Sequence, residues 1–457
     1  DGDAPRADVF PGPAARDCAG GAARNCDGFT DRDGDGDGYV SYACGGDDCD
    51  PTDGGVHPGA AEVACDGKDN DCAGGDEGYG RMMAMDVAVS EAMAAGEIYQ
   101  NAAVTSDGEI AVALVVPDGG GEMGRVAFLR MGQDGEITAS TKIVDGDPGS
   151  TFQAQPSIAL SDGGEFGVAW VDSRPGHEAG AIYFTLVDAV GNPLGAGIMM
   201  SDTAAVAPTD PTVLWAGAEF IVGWTESRSG RIEAYAARID AGGVKIGADV
   251  LLSDSPGNAY SAVFAIGEAP VPFPTTVVSA AWTDDRSGSH QIHQRRATLD
   301  FSLVPASREV TDYPGNPSVP SMVWTGSEWA IAWHYNPLGP ADIGLSRVDG
   351  LGNPTGGYTL VTDDPGQSYH PSIAWNGAEF GVAFEDTRSG PRRIMFVKVS
   401  AAGEKIGLEQ PVSEFTIDDQ RFPLVVWTGD RFAVFWHDYR GVGTEPWLYY
   451  NAMGGCS

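Results

Sequence analysis

The stretch that decides the fold covers residues 156–202 and reads PSIALSDGGEFGVAWVDSRPGHEAGAIYFTLVDAVGNPLGAGIMMSD. Four short runs of alternating apolar residues are separated by turn-forming residues at 162–164, 172–176 and 188–192. Alternation with a period of two indicates strands, and Gly, Asp, Asn and Pro favour the turns between them. The stretch therefore predicts four consecutive strands joined by short turns.

Variants of this stretch recur towards the C-terminus. The second strand of each repeat ends in a large apolar residue, which we call the landmark, 51 to 58 residues after the previous one. The landmarks are Leu114, Trp170, Trp224, Trp282, Trp333, Phe384 and Trp436. Four-stranded repeats at this period are typical of a β-propeller, in which each repeat is one blade. Seven landmarks predict an all-β, seven-bladed β-propeller over residues 81–457.

The seventh repeat lacks its fourth strand. After Trp436 only one further strand is predicted, at residues 447–451. The stretch 86–91 ends in Ser-Glu, and the fourth strands of other repeats likewise end in Ser or Thr followed by an acid. We expect residues near 83–91 to pair with the last blade and close the ring, because closure removes exposed sheet edges.

The net charge of the 457-residue chain is −38. This charge excludes nucleic acid as a partner class, since phosphates require a basic surface. No apolar run approaches the ~18–20 residues of a membrane span. The charge is concentrated in residues 1–80, which hold 19 Asp and Glu against five Lys and Arg. This segment has too few apolar residues to bury a core, so we expect disulfides and bound ions to hold it together.

Six of the seven cysteines lie in the first 72 residues, at Cys18, Cys26, Cys44, Cys49, Cys65 and Cys72. An even cluster in a Gly- and Asp-rich stretch predicts a disulfide framework, with little regular secondary structure around it. Disulfides form in oxidising compartments, so we expect an extracellular or outer-cell-surface protein. Zinc binding is the alternative, but the spacings lack paired C-x2-C and the neighbours are carboxylates.

The run Asp33-Gly34-Asp35-Gly36-Asp37-Gly38-Tyr39 carries alternate carboxylates. In a curled loop these oxygens can surround one Ca²⁺, which takes six to eight oxygens at ~2.3–2.6 Å, and the Tyr39 carbonyl can follow them. Cys44 stands where an EF-hand has its last Glu, and no helices flank the loop, so we predict a calcium loop without an EF-hand. Later acids would complete the coordination: Asp47, Asp48, Asp50 and Asp53, then Asp66, Asp69 and Asp71.

Residues 33–77 resemble the metal-binding-motif repeats of secreted bacterial proteins, which are similar to thrombospondin type 3 calcium repeats. The resemblance is carried by the Asp-Gly run, Asp48-Cys49-Asp50, His57-Pro58-Gly59-Ala60 and the stretch from Cys65 to Cys72. It implies bound calcium and a stalk-like module. Ala64 and Ala73 depart from the pattern.

A degenerate copy precedes this motif, because Val9-Phe10-Pro11 leads to Cys18 as Val56-His57-Pro58 leads to Cys65. The parallel suggests Cys18–Cys26 and Cys65–Cys72 bridges, which leaves Cys44 with Cys49, although sequence alone does not fix connectivity. Phe10 stands at the place of His57, which favours a turn role for His57 over a copper or zinc ligand.

Five repeats carry an acid-x-Arg turn after the second strand, with acids at Asp172, Glu226, Asp284, Asp386 and Asp438. The turns could form a ligand-binding ring, but their recurrence favours turn chemistry. Binding is then expected at the divergent loops 117–123, 270–274 and 335–342. The propeller also resembles the Trp-x-Asp-x-Arg-x-Gly repeats of secreted bacterial proteins, which implies a fold and not an activity.

No nucleophile elbow, zinc-protease motif or phosphate loop is present in the sequence. We therefore expect an extracellular calcium-binding protein whose propeller serves binding, adhesion or assembly, with a cell-surface glycan or protein as partner. The alternative is a glycan-active hydrolase or lyase that uses the propeller funnel. As a hydrolase it requires two carboxylates ~5–9.5 Å apart.

The end of the chain, Gly454-Gly455-Cys456, resembles the start of the Cys-containing sorting tails of some Gram-negative bacteria. The resemblance implies processing or membrane or lipid anchoring at Cys456. The alternatives are an intermolecular disulfide and an unpaired thiol.

Overall fold

The computed structural model describes residues 33–41, 46–50, 52–61, 70–72, 80–81, 86–89, 100–117, 124–145, 147, 149–150, 152–201, 206–269, 276–302, 304–313, 315–335, 341–362, 366–413, 418–440 and 446–454. The chain divides into two compact units, one of residues 1–82 with 406–410 and 454–457, the other of residues 83–405 with 411–453. Within the described ranges all helix or strand assignments are strands. None of these residues forms a helix long and apolar enough to cross a membrane.

Two short strands come first, β1 at Gly80–Arg81 and β2 at Val87–Ala88. Blade 1 contains β3 to β6, at Asn101–Val104, Ile110–Pro117, Gly124–Met131 and Ile137–Ile143. Blade 2 contains β7 to β10, at Phe152–Leu160, Phe166–Arg174, His177–Val187 and Ile198–Met199. Blade 3 contains β11 to β14, at Thr209–Trp215, Glu219–Glu226, Glu233–Asp240 and Lys245–Leu251.

Blade 4 contains β15 to β18, at Ala259–Glu268, Thr276–Asp284, Gln291–Thr298 and Arg308–Glu309. Blade 5 contains β19 to β22, at Ser318–Trp324, Glu328–Tyr335, Asp342–Asp349 and Thr359–Leu360. Blade 6 contains β23 to β26, at Ser368–Trp375, Glu379–Asp386, Arg393–Ser400 and Lys405–Pro411. Blade 7 contains β27 to β29, at Gln420–Trp427, Phe432–Asp438 and Trp447–Gly454.

The seven sheets form a closed ring, which confirms the predicted all-β, seven-bladed propeller. The first strands of consecutive blades pack against one another, and β27 of blade 7 packs against β3 of blade 1. Strand β2 pairs with β29, with Val87 opposite Tyr450 and Ala88 opposite Tyr449. The Val89 N–H then donates to the Leu448 carbonyl at 2.8 Å. The last blade thus takes its outer strand from the start of the propeller.

The core lies between neighbouring blades. All seven landmarks are fully buried in second strands, whose apolar and β-branched residues favour buried sheet. Between two pairs of neighbouring blades, a glycine in one blade leaves room for a phenylalanine ring of the next blade. A Cβ at Gly223 would lie 2.6 Å from the Phe264 ring, and one at Gly381 would lie 2.6 Å from the Phe432 ring. A larger residue at either position would force adjacent blades apart.

The first strands of blades 2 to 7 each contain a bulge near their start. One residue per blade has a φ between 47° and 55° next to a register shift: Gln155, Asp210, Ser261, Val319, His370 and Phe422. In five of the six blades a proline follows this residue. Proline cannot donate to the ladder and is tolerated at bulges, so it favours the irregularity here.

The described part of the N-terminal segment has little regular secondary structure, and an isolated parallel bridge joins Ser41 to Asp48. Cys49 forms a disulfide with Cys72, with their Cα atoms 5.6 Å apart. The suggested Cys65–Cys72 and Cys44–Cys49 pairings are therefore wrong. The physical reason is that the His57 N–H donates to the Asn70 carbonyl at 2.8 Å, which returns the chain towards Cys49. The remaining cysteines, Cys18, Cys26, Cys44, Cys65 and Cys456, lie outside the described residues.

Candidate metal centre and the axial end of the propeller

The loop from Asp33 to Tyr39 is curled by hydrogen bonds from its own backbone to its carboxylates. The Gly36 and Gly38 N–H groups donate to the two oxygens of Asp33 at 2.8 and 3.1 Å. The Tyr39 N–H donates to Asp37 at 2.8 Å. Gly36 and Gly38 have φ of 86° and 97°, a conformation that glycine adopts without strain. As a result, one ligand oxygen each of Asp33, Asp35 and Asp37 lies within 4.8 Å of the others.

Asp48 is brought beside this loop by backbone hydrogen bonds. Its N–H donates to the Val40 carbonyl and the Gly46 N–H donates to the Ser41 carbonyl, both at 3.1 Å. The Asp48 side chain is fully buried, and its Oδ1 accepts the Asp50 N–H at 2.9 Å. A carboxylate that is absent from the Asp-Gly run thus joins the loop through the fold.

Around this loop, three buried carboxylate oxygens of the described residues have no hydrogen-bond partner: Oδ2 of Asp35, Oδ2 of Asp37 and Oδ2 of Asp48. Burial raises the pKa of Asp48, and the charges of Asp35, Asp37 and Asp50 raise it further. Burial also raises the pKa of Asp35, together with the charges of Asp37 and Asp33. Unpartnered buried oxygens are rare and costly, so this cluster requires a compensating positive charge.

The geometry fits a hard divalent cation. Oxygens on opposite sides of one Ca²⁺ are about 4.8 Å apart, which is twice a typical calcium–oxygen distance. The turn at residues 53–55 lies over the cluster, since a Cβ on Gly54 would be 3.7 Å from the Asp37 Cβ and 3.9 Å from the Asp35 Cγ. Asp33, Asp35 and Asp37 could therefore hold the ion, and the buried Asp48, whose pKa responds to the charges of Asp35 and Asp37, is the candidate fourth ligand.

The other predicted ligands have different surroundings. Asp47 is exposed next to Asp48. The Asp50 and Asp53 side chains accept hydrogen bonds within their own turns, from Thr52 and from Gly55. Asp71 lies in the turn before Cys72, and Asp66 and Asp69 lie outside the described residues.

Tyr39 and His57 pack against each other beside the loop. Their rings stack with centroids 4.6 Å apart and an interplanar angle of 7°. The His57 Nδ1 is 3.3 Å from the Pro58 carbonyl oxygen. These contacts fit the turn role expected for His57.

The acid-x-Arg turns of blades 2, 4, 6 and 7 are satisfied internally, whereas in blade 3 Glu226 pairs with Arg228 but its Oε2 has no partner among the described residues. Asp172 accepts the Trp170 indole N–H at 2.9 Å and two bonds from Arg174. Arg174 also pairs with Asp145 and lies over the Tyr183 ring, 3.8 Å from its centroid. The same set occurs in blade 7, where Arg440 pairs with Asp438 and Asp86 and lies over Tyr449. These groups join neighbouring strands and have little capacity left for a ligand.

The bulges lie at the axial end of the propeller, where the first strands of neighbouring blades converge. A side chain of the preceding blade caps the bulge N–H in three places. Gln155 accepts from Asp210 at 3.0 Å, Thr283 from Val319 at 3.1 Å and Glu385 from Phe422 at 2.9 Å. Glu385 and Thr283 each follow a landmark directly. In blades 4 and 6 the residue after the landmark thus bonds to the bulge of the next blade.

That position was the signal missed in the sequence. The landmark recurs, but the residue after it changes from blade to blade: Val115, Val171, Thr225, Thr283, His334, Glu385 and His437. In blades 5 to 7 it is titratable. The divergent loops expected to bind a ligand lie largely outside the described residues, at 118–123, 270–275 and 336–340.

A family model described as "Putative metal-binding motif" (Cu-binding MopE) matches residues 48–77. This match confirms a metal-binding motif in the N-terminal segment, and its first residue is the buried Asp48. No curated protein matches the chain significantly in sequence.

Among solved structures, a protein of unknown function from Dyadobacter fermentans is similar, with 13% identity and a TM-score of 0.50 over 83% of this chain and 100% of that one. An alpha-L-arabinanase from Penicillium chrysogenum has 12% identity and a TM-score of 0.46, over 69% of this chain and 98% of that one. An alpha-L-arabinofuranosidase from Fusarium graminearum has 12% identity and a TM-score of 0.43, over 67% and 93%. At this identity the likeness to the Dyadobacter protein concerns the fold and not an activity.

Proposed function

We propose that this protein binds Ca²⁺ outside the cytoplasm through its acidic segment and uses its propeller as a non-catalytic binding module. The observation that carries the metal half is the set of buried, unpartnered oxygens on Asp35, Asp37 and Asp48. A divalent cation would compensate all three at once and would join the loop at 33–39 to the disulfide-bonded segment that follows.

The donor set favours calcium over copper. Carboxylate oxygens suit hard cations such as Ca²⁺, whereas copper prefers imidazole and thioether ligands. The imidazole beside the loop belongs to His57, which is stacked on Tyr39. Copper is therefore the ion against which calcium should be tested, because the matching family model carries its name.

Two features support a location outside the cytoplasm. The Cys49–Cys72 disulfide requires an oxidising compartment to form and persist. The metal-binding motif matched at residues 48–77, which resembles repeats of secreted bacterial proteins, also favours this location. The outer cell surface fits both, and an anchor at Cys456 would hold the protein there.

The propeller is proposed to bind a cell-surface glycan or protein, or to join a surface assembly. Its acid-x-Arg turns in blades 2, 4, 6 and 7 are engaged internally, and so is Glu385 at the axial end, which is held by His370, Arg392 and the Phe422 N–H. A retaining or inverting hydrolase would require a carboxylate free to attack or to transfer a proton. The engagement of Glu385 favours binding over hydrolysis.

Isothermal titration of the full chain, after treatment with a chelator, tests the metal half. We expect saturable Ca²⁺ binding with a Kd on the order of 10⁻³ M or tighter. Asp48→Asn and Asp35→Asn should each weaken binding at least about tenfold, since each removes a charged ligand. The matched control is Asp47→Asn, an exposed carboxylate one residue from Asp48, which should bind as the wild type does.

Cu²⁺ is titrated in parallel, and circular dichroism monitors the fold of each variant. Saturation by Cu²⁺ without any Ca²⁺ isotherm would overturn the choice of ion. Equal binding by Asp48→Asn and the wild type would overturn the site.

A further inference from the structure

The axial end carries an unusual cluster over blades 5 to 7. The His370 ring lies 5.7 Å from His334 of the preceding blade and 5.6 Å from Phe422 of the following blade, between ring centroids. Phe422 in turn lies 5.5 Å from His437. A side chain can touch both neighbouring blades only near the axis, where the first strands converge. His370 therefore lies where blades 5, 6 and 7 meet.

Glu385 fixes the orientation of His370. The Glu385 side chain is fully buried, and its Oε1 lies 3.0 Å from the His370 Nδ1. Its Oε2 accepts from Arg392 at 3.0 Å. With Nδ1 held by Glu385, the Nε2 of His370 is turned away from the carboxylate, and 36% of the side chain is exposed. The backbone is held at the bulge, with a φ of 47°.

Two further imidazoles present buried nitrogens without partners, the Nδ1 of His334 and the Nε2 of His437. His437 is only 1% exposed. Burial lowers the pKa of His334 to about 4 and that of His437 to about 3. Both rings are therefore neutral at pH 7, and each offers one donor or acceptor that no protein group uses.

We propose that this cluster of His334, Tyr369, His370, Glu385, Phe422 and His437 is a binding site for a neutral carbohydrate chain. Hydroxyl groups both donate and accept, as neutral imidazoles require, and the rings of Phe422 and Tyr369 offer apolar faces to a sugar ring. An anionic ligand would require a spare cation, but Arg392 and Arg421 are paired with Glu385 and Asp419.

This inference rests on the proposed binding role of the propeller and supplies its site and ligand class. A cluster of six side chains is large enough to contact a few sugar units, whereas a stable protein interface needs about 800 Å² per partner. A protein partner is therefore the competing outcome.

The test is native electrophoresis of the full chain in gels that contain arabinan, xylan or galactomannan, with polygalacturonate as an anionic comparison. At least one neutral polysaccharide should retard the wild type. His370→Ala and Phe422→Ala should each lower the association constant at least fivefold, and His370→Gln should lower it less. Tyr358→Ala is the control, because Tyr358 is a 41% exposed aromatic residue outside the cluster. Melting temperatures verify folding.

Each of the other outcomes overturns one part of the proposal: the ligand class, its charge or the location of the site. If no neutral polysaccharide retards the wild type, the ligand class is wrong and a protein partner is favoured. If only polygalacturonate retards it, the ligand is not neutral. If His370→Ala and Phe422→Ala migrate as the wild type does, the location is wrong. The Ca²⁺ titration reports on the metal site and the gel on the sugar site, so that failure of one is told apart from failure of the other.

Discussion

The buried histidines show how one residue position can serve packing in some blades and recognition in others. His293 stacks on Trp282 with centroids 6.3 Å apart, as Tyr183 stacks on Trp170 at 6.2 Å. His334 and His437 follow landmarks and lie in the axial cluster instead. The sequence distinguished these roles only by position in the repeat, since the residue type is the same.

The buried imidazole of His437 should make the free energy of unfolding depend on pH. Its pKa is about 3 in the folded state, against an ordinary value of ~6.5 when unfolded. Between these pH values the unfolded chain binds more protons, so this contribution is complete above about pH 6.5 and is lost as the pH falls. Replacing His437 with Gln should reduce the slope of unfolding free energy against pH by up to ~1.4 kcal/mol per unit near pH 5.

Urea unfolding of both proteins between pH 4 and pH 7 measures this slope. An unchanged slope in His437→Gln would mean that His437 is protonated in the folded state.

The cysteine pairing could not be predicted from local sequence, because spacing alone suggested Cys65 as the partner of Cys72. The return of the chain at Asn70 decides the bond, and no local pattern encodes that return.

At the scale of the strand, the bulges are the feature that positions the axial side chains. The recurring prolines at Pro156, Pro211 and their counterparts were visible as the start of each repeat. The bulge that accompanies these prolines was not visible in the sequence, because it depends on the partner strand and on the hydrogen bond from the preceding blade. Only the register of the paired strands reveals it.

Substitution of Thr283 tests how much the hydrogen bond to the bulge of the next blade contributes to stability. Its hydroxyl accepts the Val319 N–H at 3.1 Å, across a blade boundary. Thr283→Val keeps the shape but leaves this N–H without its acceptor, so we expect a loss of about 1–3 kcal/mol in unfolding free energy. Thr141→Val, on an exposed fourth strand, is the control and should change stability by less than about 0.5 kcal/mol. Equal effects in urea unfolding would show that the cap contributes nothing.

At the scale of the molecule, ring closure depends on a strand from before the first blade. The Val89 N–H donates to the Leu448 carbonyl, and Val89 is buried. Val89→Pro removes this donor and should cost at least ~2 kcal/mol. Ala88→Pro is the matched control, since alternate residues donate across an antiparallel pair and the Ala88 N–H points away from β29.

Thermal unfolding compares the two proline variants with the wild type. A melting temperature for Val89→Pro equal to that of Ala88→Pro would show that this pairing does not hold the ring closed.

The number of blades was predictable because the landmarks recur with nearly constant spacing and are buried in the same way. The metal centre was predictable in part. Asp33, Asp35 and Asp37 are local in sequence, whereas the selection of Asp48 among the later acids depends on the Ser41–Asp48 bridge. The axial cluster joins residues from three blades, about fifty residues apart in sequence, and no single repeat contains it.

The most direct test of the central claim is terbium luminescence excited through tyrosine. Tb³⁺ replaces Ca²⁺ at oxygen-rich sites, and Tyr39 closes the loop, with its N–H bonded to Asp37. Emission should saturate with Tb³⁺ and be displaced by Ca²⁺, and it should be lost in Asp48→Asn and in Tyr39→Phe but not in Asp47→Asn. Emission that Asp48→Asn leaves unchanged, or none from the wild type, would contradict a cation held between Asp35, Asp37 and Asp48.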